Sequence, residues 1–470
     1  MDHSGADFLQ LRPAAAPAKG LTSWLTDAVR TAISDGRLGA GARLPATRLL
    51  ADELGVSRGV VVEAYRRLAD EGLVSARTGV GTVVTPPGPA GRAAAGLATP
   101  AVDAVGPLLP LARSAELDLS PGVPDLAAFP RAAWLRAERA VLTRTGAADL
   151  GYGDPRGLPW LRAELAARLA RVRGVRADPD DIIVVAGVAQ SLALLAHLLH
   201  RRGTVAIAVE EPGSRGARDE LVHWGLTPTP VPVDGLGLRV DELARTGLDT
   251  VLLTPAHQFP TGVVMAPRRR RELLDWAADG LVIEDDYDAE YRYDRAPVPA
   301  IQASAPDRVA YTGSVSKTLA PGMRLGWLIP PRDLHADLVA AKHASDLGSP
   351  ALPQLVLAQL IASGELDRHI RLVRTRHRAR RDALLAGLAR HLPAVEVQGA
   401  AAGLHLLITF ADDLDDTDLA DRIRAAGVRV HPLSWHRQRP GPPGLVLGYA
   451  AHSPGQLHEA ARRIGEVVRR

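Results

Sequence analysis

The chain has 470 residues, 46% of them hydrophobic, with 56 Lys and Arg against 53 Asp and Glu, a formal net charge of +3 and no cysteine. That length allows about three ordinary domains with filled cores, while the lack of cysteine excludes disulfides, thiolate metal sites and cysteine nucleophiles, and no metal site is expected. A charge so close to balance gives no general affinity for polyanions, so any nucleic-acid site has to be local.

Taken in chain order, the start MDHSGADFLQ is acidic and has no basic segment followed by an apolar run. Apolar stretches such as SLALLAHLLH are short, so neither export nor membrane spanning is expected and the expected compartment is the cytoplasm. Leu25, Ala28, Val29 and Ala32 recur at the spacing of one helix face, and Gly36 ends that helix. A second helix fits Thr47 to Leu54. After a GVS turn, Ser57 stands as N-cap of a third helix whose apolar stripe is Val61, Ala64, Tyr65 and Leu68. Leu73 to Val84 reads as two strands joined by a glycine-containing turn, which completes a winged helix-turn-helix.

Arg58, Arg66 and Arg67 lie off the apolar stripe of the third helix. Arg43 and Arg48 stand before and at the start of the second, and Arg77 lies in the hairpin. This placement suits a recognition helix in the major groove. Residues 1–85 hold ten Lys/Arg against nine Asp/Glu, so the footprint is a patch, and spacing alone leaves open a helical adaptor with a solvated charged face.

From Thr85 to about Glu116 the composition is that of a Pro/Gly/Ala-rich linker. The expected division is a winged helix-turn-helix domain over residues 18–85, a linker over 86–116 and a long unit over 117–470. In the long unit, apolar runs at Ile182–Val185, Val205–Val209, Val251–Thr254, Leu281–Glu284 and Val309–Thr312 alternate with helical segments. The expected fold is α/β, with a mostly parallel sheet covered by helices on both faces and ligands at the carboxyl ends of its strands.

Polar residues follow those runs. AGVAQ opens a helix, so the amides of Ala189 and Gln190 suit a phosphate. Asp285 and Tyr287 leave the fourth run; Ser314, Ser316 and Lys317 leave the fifth, with Arg324 seven residues beyond Lys317. Only Lys19, Lys317 and Lys342 among the 56 basic residues are lysines, and a lysine amine, unlike a guanidinium, can lose its proton and attack a carbonyl. An aldehyde for Lys317 as Schiff-base amine, a phosphate for the serines and arginine, and a ring nitrogen for Asp285 describe pyridoxal 5'-phosphate.

The stretch GRLGAGARLPATRLLADELGVSRGVVVEAYRRLADEGLVSARTGVGTVV resembles the DNA-binding domain of the GntR family. The resemblance implies DNA contacts from Arg43, Arg48, Ser57 and Arg58, a wing tip from Gly79 to Gly81, and dimers on paired half-sites. From about Asp118 onward, LSPGVPDLAAFPRAAW, YGDPRGLPWLRAELA, TPAHQFPTGVVM, IEDDYDAEYRY and GSVSKTLAPGMRLGW resemble the fold-type I aminotransferases. The two parts in this order resemble the MocR/GabR subfamily of GntR regulators.

That resemblance implies Lys317 as the cofactor lysine, Asp285 as partner of the pyridinium nitrogen and Tyr287 as donor to the ring oxygen. It further implies Ser314, Ser316 and Arg324 on the phosphate, Tyr152 reaching the neighbouring subunit's phosphate, and His257 and Gln258 near the ring. Two positions depart from the pattern. Ser214 replaces the usual tyrosine against the ring, and Val446 replaces the arginine that holds a substrate carboxylate.

The expected function is a pyridoxal-phosphate-dependent, DNA-binding transcriptional regulator, a homodimer on a double-stranded operator, that senses the cofactor or an amine or amino-acid effector. The alternative is a working aminotransferase with an appended DNA-binding domain. With Val446 and Ser214, at most a slow half-transamination is expected.

Overall fold

The computed structural model describes residues 9, 11, 20–77, 81–85, 115–294, 298–411 and 414–469. Gly79 and nearly all of the expected linker lie outside them. The chain forms two compact units, residues 1–109 and 110–470.

The first unit consists of α1 (Leu21–Ser34), α2 (Thr47–Leu54), α3 (Arg58–Asp70) and the antiparallel pair β1 (Val74–Arg77) and β2 (Gly81–Val84). Leu25, Val29 and Ala32 of α1 pack on Val61, Ala64 and Leu68 of α3, with Leu50 and Leu54 of α2 closing the core. The wing has a further strand-like edge that periodicity does not show. Arg43 bridges Val83, Leu44 N donates to Thr82 O at 2.8 Å, and Val84 N donates to Ala42 O at 2.8 Å.

The second unit is built on an eight-stranded sheet. Its strands in chain order are β4 (Ile183–Val185), β5 (Ala206–Glu211), β6 (Thr227–Asp234), β7 (Gly237–Leu238), β8 (Thr250–Leu253), β9 (Leu281–Asp286), β10 (Val309–Ser314) and β11 (Gly326–Ile329). The spatial order is β4-β11-β10-β9-β8-β5-β6-β7; the pairs from β10 to β6 are parallel, and β11 runs antiparallel to both neighbours. Alternate residues face opposite layers. Ile183, Val185, Ile207 and Ile283 pack under α6 (Val188–Arg201), α7 (Arg215–His223) and α10 (Arg332–Asp346). Val184 and Tyr311 face α5 (Pro159–Arg173) and α11 (Ala351–Ala362) instead. That double burial is why the strands read as continuous apolar runs.

Strand β6 was hidden by Pro228, Pro230 and Pro232. Their period of two explains how they are tolerated: Thr227 N donates to Val205 O at 2.9 Å, so the intervening residues serve β5 while the missing proline donors fall on the side away from it, where β7 pairs only with Val233 and Asp234.

A smaller subdomain carries a second sheet of β12 (Glu396–Gln398), β13 (His405–Thr409), β15 (His431–Pro432) and β16 (Gly444–Gly448), packed on α12 (Glu365–His391), α13 (Asp416–Ala425) and α14 (Pro454–Val468). The start of the unit joins it, because β3 (Leu117–Asp118) pairs in parallel with β14 (Val428–Arg429).

Lys342 is fully buried on α10, and its Nζ donates to both oxygens of Asp346, at 2.9 and 2.6 Å. Asp346 Oδ2 also accepts from Gln190 Nε2 at 2.8 Å, and Gln190 Oε1 accepts from Ala186 N at 2.7 Å, so the network ties α10 to the turn before α6. Asp346→Ala leaves the buried ammonium unpaired and is expected to destabilise the second unit by about 3–5 kcal/mol, whereas Lys342→Met should be close to neutral. Urea unfolding of the two variants checks this; equal losses would refute it.

Candidate cofactor pocket and nucleic-acid surface

The pocket forms where parallel strands end. Thr312 lies opposite Asp285 in the pairing of β10 with β9, so the residues leaving both strands emerge side by side. Strand alternation separates the two adjacent acids. Asp286 is committed elsewhere, taking Arg173 Nε at 2.7 Å and Tyr311 OH at 2.5 Å. Asp285 Oδ1 is buried without a hydrogen-bond partner among the described residues. Burial, and then the charges of Asp286 and Asp288, push the Asp285 carboxyl up to about 7, with Lys317 opposing them.

Lys317 Nζ donates to Gly122 O at 2.6 Å. Burial lowers its pKa, against the pull of Asp288 and Asp285. Tyr287 OH lies 3.0 Å from His257 Nδ1, which is also 2.9 Å from Asp288 Oδ2. Burial pushes the Tyr287 phenol up, so it stays protonated. A Cβ on Gly403, whose φ is +79°, would stand 1.9 Å from His257 Cε1; only glycine allows this imidazole its place.

At the other end, α6 begins at Gly187, whose φ is +89°. The Arg324 guanidinium lies across it, with Nη1 and Nη2 3.2 Å from where a Cβ of residue 187 would be, and donates to Ala186 O. Arg324 itself has φ +48°, an uncommon conformation for a side-chain-bearing residue, of the kind found where structure holds a functional group in place. Ser314 Oγ accepts from Ser316 N at 3.3 Å. The amide of Ala189 lies in the first turn of α6, where no intrahelical partner is available, while Gln190 N already donates to Gly187 O at 3.1 Å.

Gln258 is occupied within its own loop. Its Nε2 donates to Pro212 O at 2.9 Å and to Phe259 O at 2.6 Å, and its Oε1 accepts from Thr261 N and Oγ1. Tyr152 is 92% exposed and turns to solvent in this chain. Ser214 caps α7, its Oγ accepting from Ala217 N at 3.3 Å. Val446 is fully buried against Leu407, Leu433 and Phe259.

Spacing did not reveal Glu210, buried on β5 and held by Thr254 N at 3.0 Å and Oγ1 at 2.7 Å, with burial raising its carboxyl to about 7. Nor did it reveal His405, brought from β13 to a ring-centroid distance of 5.0 Å from His257. Asp288 was visible in the DDYD run, but its partner lies thirty-one residues upstream.

An amine of lowered pKa, an unpartnered buried carboxylate and a helix N-terminus beside a guanidinium and two hydroxyls fit a molecule with an aldehyde, a ring nitrogen and a phosphate.

In the first unit, Arg43, Arg48, Ser57 and Arg58 are all exposed. Among the described residues no ion pair engages the three arginines, and Ser57 is the N-cap residue of α3 without a capping bond from its hydroxyl. Arg66 differs. It is paired within its own helix to Glu63 at 2.8 Å and to Asp70 at 2.6 Å, and Arg67 to Glu63 at 3.0 Å. Arg77 lies at the end of β1.

Residues 21–84 match the family described as bacterial regulatory proteins, gntR family, and residues 115–464 match aminotransferase class I and II. The chain is 33% identical over 455 residues to the "Probable rhizopine catabolism regulatory protein MocR" of Rhizobium meliloti, covering 93% of this chain and 91% of that one. It is 35% identical over 451 residues to the "HTH-type pyridoxine biosynthesis transcriptional regulator PdxR" of Corynebacterium glutamicum, covering 94% and 95%. The crystal structure of multiple substrate aminotransferase from Thermococcus profundus matches with a TM-score of 0.70 at 27% identity, covering 76% of this chain and 92% of that one. No helix among the described residues is long and apolar enough to cross a membrane.

The raised carboxyls have a consequence for stability. Asp285 and Glu210 hold protons in the folded chain, near 7, that the unfolded chain gives up at ordinary carboxylate pH. Their contribution is therefore complete below the unfolded values and is lost as pH rises toward about 7. The melting temperature of cofactor-free chain should fall over that window, and Asp285→Asn should flatten the slope. An unchanged slope in that variant would refute the assignment.

Proposed function

Since this chain belongs to the MocR-type regulators, a GntR winged helix-turn-helix followed by a class I and II aminotransferase domain, and is thereby a pyridoxal-phosphate-dependent DNA-binding regulator, we propose how its residues divide the work. The observation that carries the reading is the unpartnered Asp285 Oδ1 in the pocket that Lys317 enters. The bound cofactor supplies an aldehyde for an amine and an electron-withdrawing ring.

Lys317 supplies that amine, and its lowered pKa favours the unprotonated, nucleophilic form. Asp285 holds a proton on the ring nitrogen, and the cation it faces there returns its carboxyl to the charged form. Tyr287 presents its hydroxyl to the ring oxygen, with His257 and Asp288 behind it. Ser314, Ser316, Arg324 and the amide of Ala189 hold the phosphate. Gln190 contributes by closing the turn at Ala186, and Gln258 by fixing the loop that carries His257.

The working unit in this reading is a homodimer in the cytoplasm. Tyr152 completes the neighbouring subunit's phosphate site, and the exposed Leu135, Leu142 and Leu150 form part of the apolar contact. The head spans residues 18–85, and a linker over 86–116 joins it to the sensing domain. Arg43, Arg48, Ser57 and Arg58 meet DNA, with Arg77 and Gly79 in the wing. Arg66 serves mainly to brace α3, since its guanidinium already has two carboxylates.

Regulation rather than turnover fits the pocket. A transaminase has to hold its substrate's carboxylate, and Val446 offers only an isopropyl group where a bidentate guanidinium would be needed. The signal is therefore the cofactor itself or an amine, and the response is a coupling free energy between pocket and operator.

Borohydride should bleach the visible absorption band and leave the cofactor covalently attached to Lys317, and Lys317→Ala should lack the band from the start; label on Lys19 or Lys342 would overturn the assignment. Arg58→Ala should weaken specific operator binding by about 1–3 kcal/mol, and Arg66→Ala by much less. Comparable losses in gel-shift titrations would return Arg66 to the recognition surface. On one preparation, steady keto-acid formation at ordinary enzyme rates together with cofactor-independent operator binding would favour the enzyme alternative.

A further inference from the structure

Away from Lys317, the second unit contains a cavity of about 560 Å³, within the range of small-molecule sites. One wall is the smaller subdomain's sheet, with Leu407 and Phe410; the other is the end of β5 at Glu211 and Pro212. The loop after Trp435 delivers two guanidiniums into it, Arg437 and Arg439, and among the described residues neither has an ion pair. Arg437 Nε is buried and has no hydrogen-bond partner.

The loop is built to aim them. The Glu211 carboxylate accepts from Gln438 N at 3.0 Å with either oxygen and from Arg439 N at 3.1 Å, so its charge caps the backbone. Gly441 gives the Arg437 guanidinium its bed, for a Cβ there would lie 1.9 Å from Nη1. The other carboxylate lining the cavity, Glu396, stands exposed on β12. The Arg437 guanidinium feels the charges of Glu211 and Asp416 but has no ion pair among the described residues, and above a floor of Leu407, Leu433 and Phe410 it suits a carboxylate group on a short apolar body.

We infer that this cavity binds a small organic carboxylate, held by Arg437, at a site separate from the cofactor pocket. Its walls connect it to that pocket. Thr261 lines the cavity and bonds Gln258, whose amide in turn holds Pro212 O, another lining residue. A ligand there touches the loop that carries His257 and the segment that continues to Ser214. The acid-recognising group absent at Val446 is thus supplied at a second place, away from Lys317. The inference stands whether or not Lys317 carries the cofactor.

The test is calorimetric titration of the full-length, cofactor-loaded chain with glutarate, pyruvate and benzoate, against sodium chloride of matched ionic strength. At least one acid should bind saturably, and bind equally well to Lys317→Ala. Arg437→Met should weaken it at least tenfold, as should Gly441→Ala, which displaces the guanidinium without removing its charge. If none of the three acids gives saturable heat, or if Lys317→Ala abolishes binding that Arg437→Met preserves, the site does not exist as described. The visible band of the same preparations reports separately on the cofactor assignment.

Discussion

The chemistry of the second unit depends on one pairing register, Thr312 opposite Asp285 in the parallel contact of β10 with β9. Because the strands run the same way, both release their next residues at the same edge, and Asp285 and Lys317 reach one pocket from segments thirty-two residues apart in sequence. A slip of one residue would turn Asp286 inward and Asp285 toward Arg173. The fold prevents that slip by giving Asp286 a buried guanidinium and a phenol, partners that exist on only one face of the sheet.

The same edge shows how the protein keeps charge in an apolar setting. Asp286 and Arg173 neutralise each other, and Asp346 neutralises Lys342. Burial moves His405 and His436 well below the usual imidazole range, so they are neutral. Glu210, also raised, is held by Thr254, whereas Asp285 has a raised carboxyl and an Oδ1 without a hydrogen-bond partner among the described residues. An unpaired buried acid costs stability unless a cation reaches it, and a protonated ring nitrogen is such a cation. Cofactor binding and folding of this region are thereby linked.

Much of this was legible in the sequence because the relevant residues sit in local patterns. The apolar stripes of α1 and α3, the turn between α2 and α3, and the polar residues after each parallel strand follow from spacing alone. What escaped needed partners far along the chain. Strand β11 returns antiparallel to β10 directly after the Lys317 segment, and β6 carries prolines that look like breakers until their donors are seen to fall on the side away from β5. His405 approaches His257 from another subdomain, and the Arg66 pairing depends on rotamers that helical spacing permits but does not require. Gln258 is a similar case, since its neighbourhood could be inferred but not that its amide is fully occupied.

Val446 and Ser214 then bear on what kind of signal the pocket can turn into a response. A ligand shifts a conformational equilibrium only by its difference in affinity for the two states. Around Lys317 stand the carboxyls of Asp285 and Asp288, the Tyr287 phenol and the His405 imidazole, which burial keeps neutral, and at Val446 an acid would meet an isopropyl group in place of a guanidinium. Guanidiniums with no ion pair among the described residues stand instead at Arg324, beside α6, and at Arg437, in the second cavity. A phosphate at the first and a carboxylate at the second would each bridge segments from different parts of the unit. On this reading, a carboxylate is recognised away from the reacting centre, where its binding acts on the arrangement of the loops around it and not on turnover.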